Sequence, residues 1–411
     1  MFTRRGMIAV TASLSVAACA GGVWRAPHAD AAGQVEALVA DGRVPAAALV
    51  VRRAGRTVFS SAAGLAQGAG GEAPPVTFGA TTKMRVASVS KMAVALAAHK
   101  MAARGEIDLD ADVSVQFDPP LRHPHFPEAP ITLRQMFSHT GALQDPEVYW
   151  VDAPGRTEDM FTRQMWRPAD KGPPGGAFLY ANIGYGLAAH VLERATKWRL
   201  DQLVAYNVFP VAASDCGVNW SGVSAASRRA GATLYRFEDG AWRVQADGVD
   251  VLTSDAPTLR SAPGFDLSTY VPGTNGTLFS PQGGLRASLE DLARLARNAG
   301  RDPGLAEIVW RHDAARMGDD TDGGYFSAYT AGAQVHPPTE SPIEGLGLIG
   351  HHGEAFGLYS GAFHVPALDA EFAFAVTGTR PDGTARHARH PAVVEATAPL
   401  WDAAAQVLRR L

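Results

Sequence analysis

Strand-like runs sit near the two ends of this chain, and the middle reads mostly as helix and loop. Ala46–Arg53 and Thr57–Ala63 flank an Ala54-Gly55-Arg56 turn and read as a hairpin. Near the other end, Ser360–Val365 and Glu371–Thr377 alternate like paired strands joined by Pro366 to Ala370. A lone hairpin is marginal in water. The two distant pairs are therefore expected to meet in one antiparallel sheet. Between them, Lys91 to Arg104 is rich in Ala, Met and Leu and stops at Gly105, as a helix does. Thr132 to Ser138 begins a helix with Thr132 as its cap, and Ile183 to Trp198 is helical by composition. Ser288-Leu289-Glu290-Asp291 is a capping pattern that opens another, with Gly300 as its stop. Ala392 to Leu411 reads as a final helix, and residues 220 to 275 as an elaborated loop region. The expected fold class is α+β: an antiparallel sheet flanked by helices, a mostly helical lobe, and a site between them.

The N-terminus reads as an export signal. Arg4 and Arg5 precede a short apolar stretch from Met7 to Ala18, too short to span a bilayer. Thr3 to Ile8 loosely matches a twin-arginine signal. Val16-Ala17-Ala18-Cys19 resembles the lipobox of bacterial lipoproteins, in which the cysteine is lipidated. Residues 1–19 are thus expected to be a signal peptide with lipobox, 20–30 a linker and 31–411 a single two-lobed domain. The expected location is the periplasm, with membrane attachment through an N-terminal lipid only. If Cys19 is lipidated or removed, Cys216 has no internal partner, which excludes a disulfide framework. Cys216 reads as a small buried residue rather than a nucleophile. Two cysteines also give no zinc-site spacing. Neither a metal nor another cofactor is implied.

With 46% hydrophobic residues, the chain has ample material for a large core. Its formal net charge is −4, with no basic run, which argues against nucleic acid as a partner. Only five of its 37 basic residues are lysine, which makes the position of each lysine informative.

One of the five is Lys91, three residues after Ser88. Acyl transfer by serine needs a hydroxyl, a nearby base and donors for the oxyanion. If Ser88 begins the helix, Lys91 shares its face and the amine reaches the serine oxygen. The positive end of the backbone dipole favours developing negative charge there. Ser90 is a competing hydroxyl, but it points to another face. A second element is Tyr180-Ala181-Asn182. Tyrosine can act as a general base when neighbouring cations lower its pKa, and Asn182 can bind a substrate amide or hold Lys91. A third is His351-His352-Gly353, where a strand edge could pair with a substrate backbone. His351 could aid proton transfer or contact a substrate carboxylate. His352 reads as a satisfied surface or core residue. His139-Thr140-Gly141 repeats the same spacing earlier in the chain.

Together these stretches carry a resemblance. Met84 to Lys91 (MRVASVSK) resembles the nucleophile region of the serine β-lactamase and DD-peptidase superfamily. The similarity is greatest to the branch of class C β-lactamases, D-amino-acid peptidases and family VIII esterases. Gly105 to Asp110 (GEIDLD), Ile131 to Leu143 (ITLRQMFSHTGAL), Phe178 to Gly186 (FLYANIGYG), Gly283-Gly284-Leu285 and Gly350 to Gly357 (GHHGEAFG) resemble its further blocks, in order. That order sets His139 aside, because the third motif must follow Tyr180. The resemblance implies a β-lactamase/transpeptidase-like fold in which Ser88 forms an acyl-enzyme. Lys91 and Tyr180 would share its activation, and Asn182 would orient substrate and Lys91. The backbone N–H groups of Ser88 and Glu354 would form the oxyanion hole beside Gly353. Two departures stand out: His351 replaces the lysine common in class C β-lactamases, and Glu354 stands where a small residue is usual. Both favour ester or D-Ala-type peptide hydrolysis over efficient β-lactam hydrolysis. The expected partner is a small-molecule or peptidoglycan-derived substrate. A dedicated class C-like β-lactamase and a non-catalytic penicillin- or peptidoglycan-binding protein are the alternatives.

Overall fold

The computed structural model describes residues 28–209, 215–254, 258–315 and 318–411. The leader and Cys19 lie outside the described residues, as does most of the expected linker. A helix over Ala29–Ala40 includes the last two residues assigned to the linker.

The sheet joins the two ends of the chain, as the marginal stability of separate hairpins requires. Its nine strands run, edge to edge, Val76–Thr77, Arg56–Gln67, Ala46–Arg53, Ala370–Val376, Leu358–Val365, Leu348–Ala355, Gln334–His336, Ala328–Thr330 and Ile308–Arg311. Neighbouring strands are antiparallel throughout. The central seam pairs Ala47 with Val376 and continues to Arg53 with Ala370. Ala46, Ala48 and Val50 face one core, while Ala47, Leu49 and Val51 face the other. A strand buried on both faces has no solvent side, which explains its unbroken apolar run.

Helices cover each face. On the outer side lie Ala29–Ala40 and Ala398–Leu408, the second anchored by Trp401 among Phe363, Phe372 and Phe374. On the inner side lie Ser90–Ala103 and Leu289–Arg301. Ser90–Ala103 is apolar around its circumference and almost wholly buried, as suits a helix at the centre of a large fold.

Three expectations need correction. The last helix covers only Ala398–Leu408, starting where Pro399 fits the first turn, whose N–H groups have no helical partner anyway. The Ser288 helix runs through Gly300 to Arg301, with its capping box formed by Ser288 and Asp291. Gly300 is there for packing, since a Cβ on it would lie 2.7 Å from His364 Cβ. Residues 220 to 275 contain more than loop. Leu234–Glu238 and Ala241–Ala246 form a ribbon turning at Asp239 and Gly240, both with positive φ. Asp-Gly between strands favours this hairpin turn. The ribbon pairs with Gly378–Thr379 and brings Arg236 and Phe237 to a cleft beside the sheet. No helix among the described residues is long and apolar enough to cross a membrane.

Candidate active site

Ser88 lies in a 3-10 turn over Ala87–Val89 that runs straight into Ser90–Ala103. It therefore precedes the helix by one tight turn rather than opening it. Ala87 has φ 48°, a left-handed conformation unfavourable for a residue with a Cβ. This bend leaves Ser88 half-buried and lining a cleft of about 1060 Å³.

Lys91 is fully buried beneath it. Its Nζ lies 3.0 Å from Ser88 Oγ, 2.8 Å from Asn182 Oδ1 and 3.0 Å from the Gln282 carbonyl. Burial pushes its pKa down to about 7, while the charge of Asp145 pulls in the other direction. Asp145 also orients Asn182. Its Oδ2 accepts from Asn182 Nδ2 at 2.8 Å and its Oδ1 from the Ile183 N–H at 2.8 Å. The amide oxygen of Asn182 is thereby turned toward Lys91. Ser90 is tied to the backbone: it donates to the Ala87 carbonyl at 2.6 Å and accepts from the Leu285 N–H at 2.9 Å. It takes no part in the cleft.

Tyr180 closes the other side. Its ring centroid is 4.8 Å from Lys91 Nζ and lies between His139 (4.4 Å) and Phe326 (5.1 Å). Burial drives its phenol above the ordinary tyrosine range, and contact with Ser88 offsets only part of this. The expected lowering by neighbouring cations is not seen, because burial dominates.

The third block forms the inner end of the Leu348–Ala355 strand. A Cβ at Gly353 would lie 2.4 Å from Val86 O, 2.4 Å from Ser360 Oγ and 3.3 Å from Ala87 Cβ. The strand thus passes directly against the turn that carries Ser88, and only glycine permits it. Glu354 is exposed on the cleft, where its Oε1 accepts from Tyr359 OH at 2.9 Å. His352 points to the outer face and packs on Phe363 and Trp401, the core role being one of the two expected of it.

His351 departs from expectation. It is 1% exposed, its Nε2 lies 2.7 Å from Tyr329 OH, and its Nδ1 meets the carbonyl of His352. Burial, with Lys91 nearby, brings its pKa down to about 3. It borders the same cleft as Ser88, with both ring nitrogens engaged by neighbouring protein groups. The second surprise is His139, which motif order set aside. It is buried directly behind Tyr180, and its Nε2 lies 3.3 Å from Tyr329 OH. Asp145 and Tyr329 escaped the sequence reading as well. Asp145 follows the ITLRQMFSHTGAL block by two residues, and that proximity was the one available signal. Cys216 is buried, as expected.

A sequence profile of the Beta-lactamase family matches residues 31–398, most of the chain. The chain belongs to the β-lactamase family. Esterase EstB of Burkholderia gladioli is 29% identical over 347 residues, covering 75% of this chain and 82% of the esterase. Among solved structures, the D-amino acid amidase of Ochrobactrum anthropi SV3 superposes with TM-score 0.63 at 17% identity, over 92% of this chain and 98% of the amidase. The β-lactamase/D-alanine carboxypeptidase of Yersinia pestis gives TM-score 0.64 at 14% identity, over 93% and 98%. The fold is thus that of the β-lactamase and transpeptidase group. This β-lactamase-family protein is a serine hydrolase, and its cleft brings Ser88, Lys91, Tyr180, Asn182, Gly353 and Glu354 together.

Proposed function

We propose that this protein hydrolyses carboxylic esters, and amides more slowly, through an acyl-enzyme on Ser88. The supporting observation is the set of three contacts at Lys91 Nζ. A neutral amine has two hydrogens and one lone pair. Asn182 Oδ1 and the Gln282 carbonyl can only accept, so they take the hydrogens. The lone pair then faces Ser88 Oγ. Lys91 removes the serine proton as Oγ bonds to the acyl carbon, and charge on the carbonyl oxygen meets the N–H groups of Ser88 and Glu354. Tyr180, held in its protonated form, donates to the departing alcohol or amine and regains a proton from the Lys91 ammonium. Water then attacks the acyl carbon as Lys91 takes its proton, the Ser88 Oγ–carbon bond breaks, and that proton passes to the serine oxygen as the carboxylic acid leaves.

The substrate preference rests on His351. A cation at this position would attract the carboxylate of a β-lactam or a peptide C-terminus. A neutral, fully engaged imidazole offers no such attraction. The resemblance to esterase EstB points the same way. A second reading rests on Glu354, an exposed carboxylate on the cleft with no ion pair among the described residues. It suits an acyl group bearing an ammonium, such as an amino-acyl amide.

A fluorophosphonate probe should label the wild type and not Ser88→Ala. With one preparation, p-nitrophenyl esters should turn over faster than amino-acyl amides, and nitrocefin slowest. Turnover of nitrocefin alone would replace this reading with a dedicated β-lactamase. Absence of labelling by both fluorophosphonate and fluorescent penicillin would replace it with a binding protein. The leader suggests export and lipid anchoring at Cys19. Cys19→Ala should abolish labelling by a palmitate analogue and release the protein from membranes.

A further inference from the structure

Four buried hydrogen bonds behind the nucleophile share one donor order. The Ala181 N–H donates to His139 Nδ1 at 3.1 Å, which leaves the proton of His139 on Nε2. That Nε2 lies 3.3 Å from Tyr329 OH, so it donates to the phenol oxygen. His351 Nδ1 faces the carbonyl of His352, which can only accept. His351 therefore carries its proton on Nδ1, and its Nε2 must accept, at 2.7 Å, from the Tyr329 hydroxyl. Every donor in the series has an acceptor when the bonds run in this order. In this order His139 and His351 are neutral and opposite in tautomer.

The chain links three separate parts of the fold. Ala181 lies between Tyr180 and Asn182, Tyr329 sits on the Ala328–Thr330 strand, and His351 sits two residues before Gly353. His139 also stacks on Tyr180 at 4.4 Å. The titratable groups around the two imidazoles are Lys91 from the central helix, Tyr180, Tyr185 on Ile183–Thr196, and His336 on the neighbouring strand. A proton on His139 Nδ1 would face the Ala181 N–H, donor against donor, one on His351 Nε2 would reverse its bond with Tyr329, and either would place a cation near Lys91.

We propose that His139, Tyr329 and His351 form a one-way hydrogen-bond chain that sets the distance between Tyr180 and the Gly353–Glu354 strand edge, and so act as positioning residues for acyl transfer. This rests on the hydrolase reading above. It gives the histidine at 351 a role in holding the cleft that it borders.

Tyr329→Phe tests it in the full-length protein, because phenylalanine keeps the ring packing and removes only the central hydroxyl. The expected result with p-nitrophenyl acetate is a fall in kcat of about tenfold with KM changed less than about twofold. His139→Ala should cost less kcat when added to Tyr329→Phe than when made in the wild type, the coupling expected of two members of one chain. Imidazole ¹⁵N spectra of the wild type should show His139 as the Nε2–H tautomer and His351 as the Nδ1–H tautomer at neutral pH. The His351 Nε2 resonance should shift in Tyr329→Phe. Unchanged kcat in Tyr329→Phe beside an active wild type would overturn the positioning role alone. Like tautomers for the two histidines would overturn the chain. A wild type inert toward both ester and fluorophosphonate would overturn the hydrolase reading as well, and the spectra would separate that failure from failure of the chain.

Discussion

The amine of Lys91 stands 3.0 Å from the hydroxyl of Ser88 with no exposure to solvent. The proximity matters because burial brings the amine's pKa down to about 7. Only the neutral amine can accept the serine proton. Activity should therefore fall as pH drops below about 7 and level off above it, giving kcat/KM an acid limb with its midpoint near that value. Lys91→Ala should lower acylation by about 10²-fold or more. Lys91→Arg should be no better, since a guanidinium keeps its proton. Ester hydrolysis followed from pH 5 to 9 checks both, and a limb centred well above pH 9 would rule out this role for burial.

Tyr180 should behave in the opposite way. Its phenol is held above the ordinary range, so it stays protonated through the alkaline interval where a free tyrosine ionises. Tyr180→Phe keeps the ring between His139 and Phe326. The variant should fold normally and lose about 10²-fold in acylation. Circular dichroism and pre-steady-state kinetics separate the two effects. Wild-type rates in this variant would remove Tyr180 from the chemistry.

Asp145 carries a prediction that sequence alone did not supply. Removing its carboxylate leaves Asn182 Nδ2 and the Ile183 N–H without their acceptors. Orphaned buried donors cost about 1–3 kcal/mol each. Asp145→Ala should therefore lower the melting temperature. It should also lower kcat, as Asn182 loses the orientation that takes a hydrogen from Lys91. Because the charge of Asp145 raises the Lys91 pKa, its loss should move the acid limb of the pH profile downward. A limb that stays put would show that Asp145 acts on structure alone.

How much of this was visible in the sequence follows from how local each signal is. Ser88, Lys91, Tyr180 and Asn182 announced themselves because each pair sits within one turn of chain. The terminal strands were legible because they are long and apolar. The ribbon over Leu234–Ala246 was obscured by short runs with polar, exposed residues, although Asp239-Gly240 marked its turn. His351 was found, and it does border the cleft, but its contact with Tyr329 was hidden because nothing nearby in sequence points to that partner. His139 was set aside for a related reason, since motif order says nothing about what packs behind Tyr180. Charge state was the least legible property. The Lys91 and Tyr180 pKa values are governed by burial, which exists only once distant segments have closed around them.

Gly353 offers the most stringent test of the strand's position. An added Cβ would lie 2.4 Å from both Val86 O and Ser360 Oγ. Ser360 Oγ itself donates to Val86 O at 3.0 Å, so the three groups already meet at one point. The Ser360 side chain could rotate away, but the Val86 carbonyl belongs to the turn that carries Ser88. Relief of the clash must then move the strand, the turn, or both. Gly353→Ala should destabilise the fold by about 1–3 kcal/mol, as overpacking does. It should also lower acylation by about 10²-fold by shifting the Glu354 N–H away from the reacting carbonyl. Adding Ser360→Gly removes one of the two obstacles and should recover part of the stability but little of the rate. Thermal unfolding and ester kinetics on the single and double variants check this, and full recovery of rate in the double variant would show that the backbone contact with Val86 does not constrain the site.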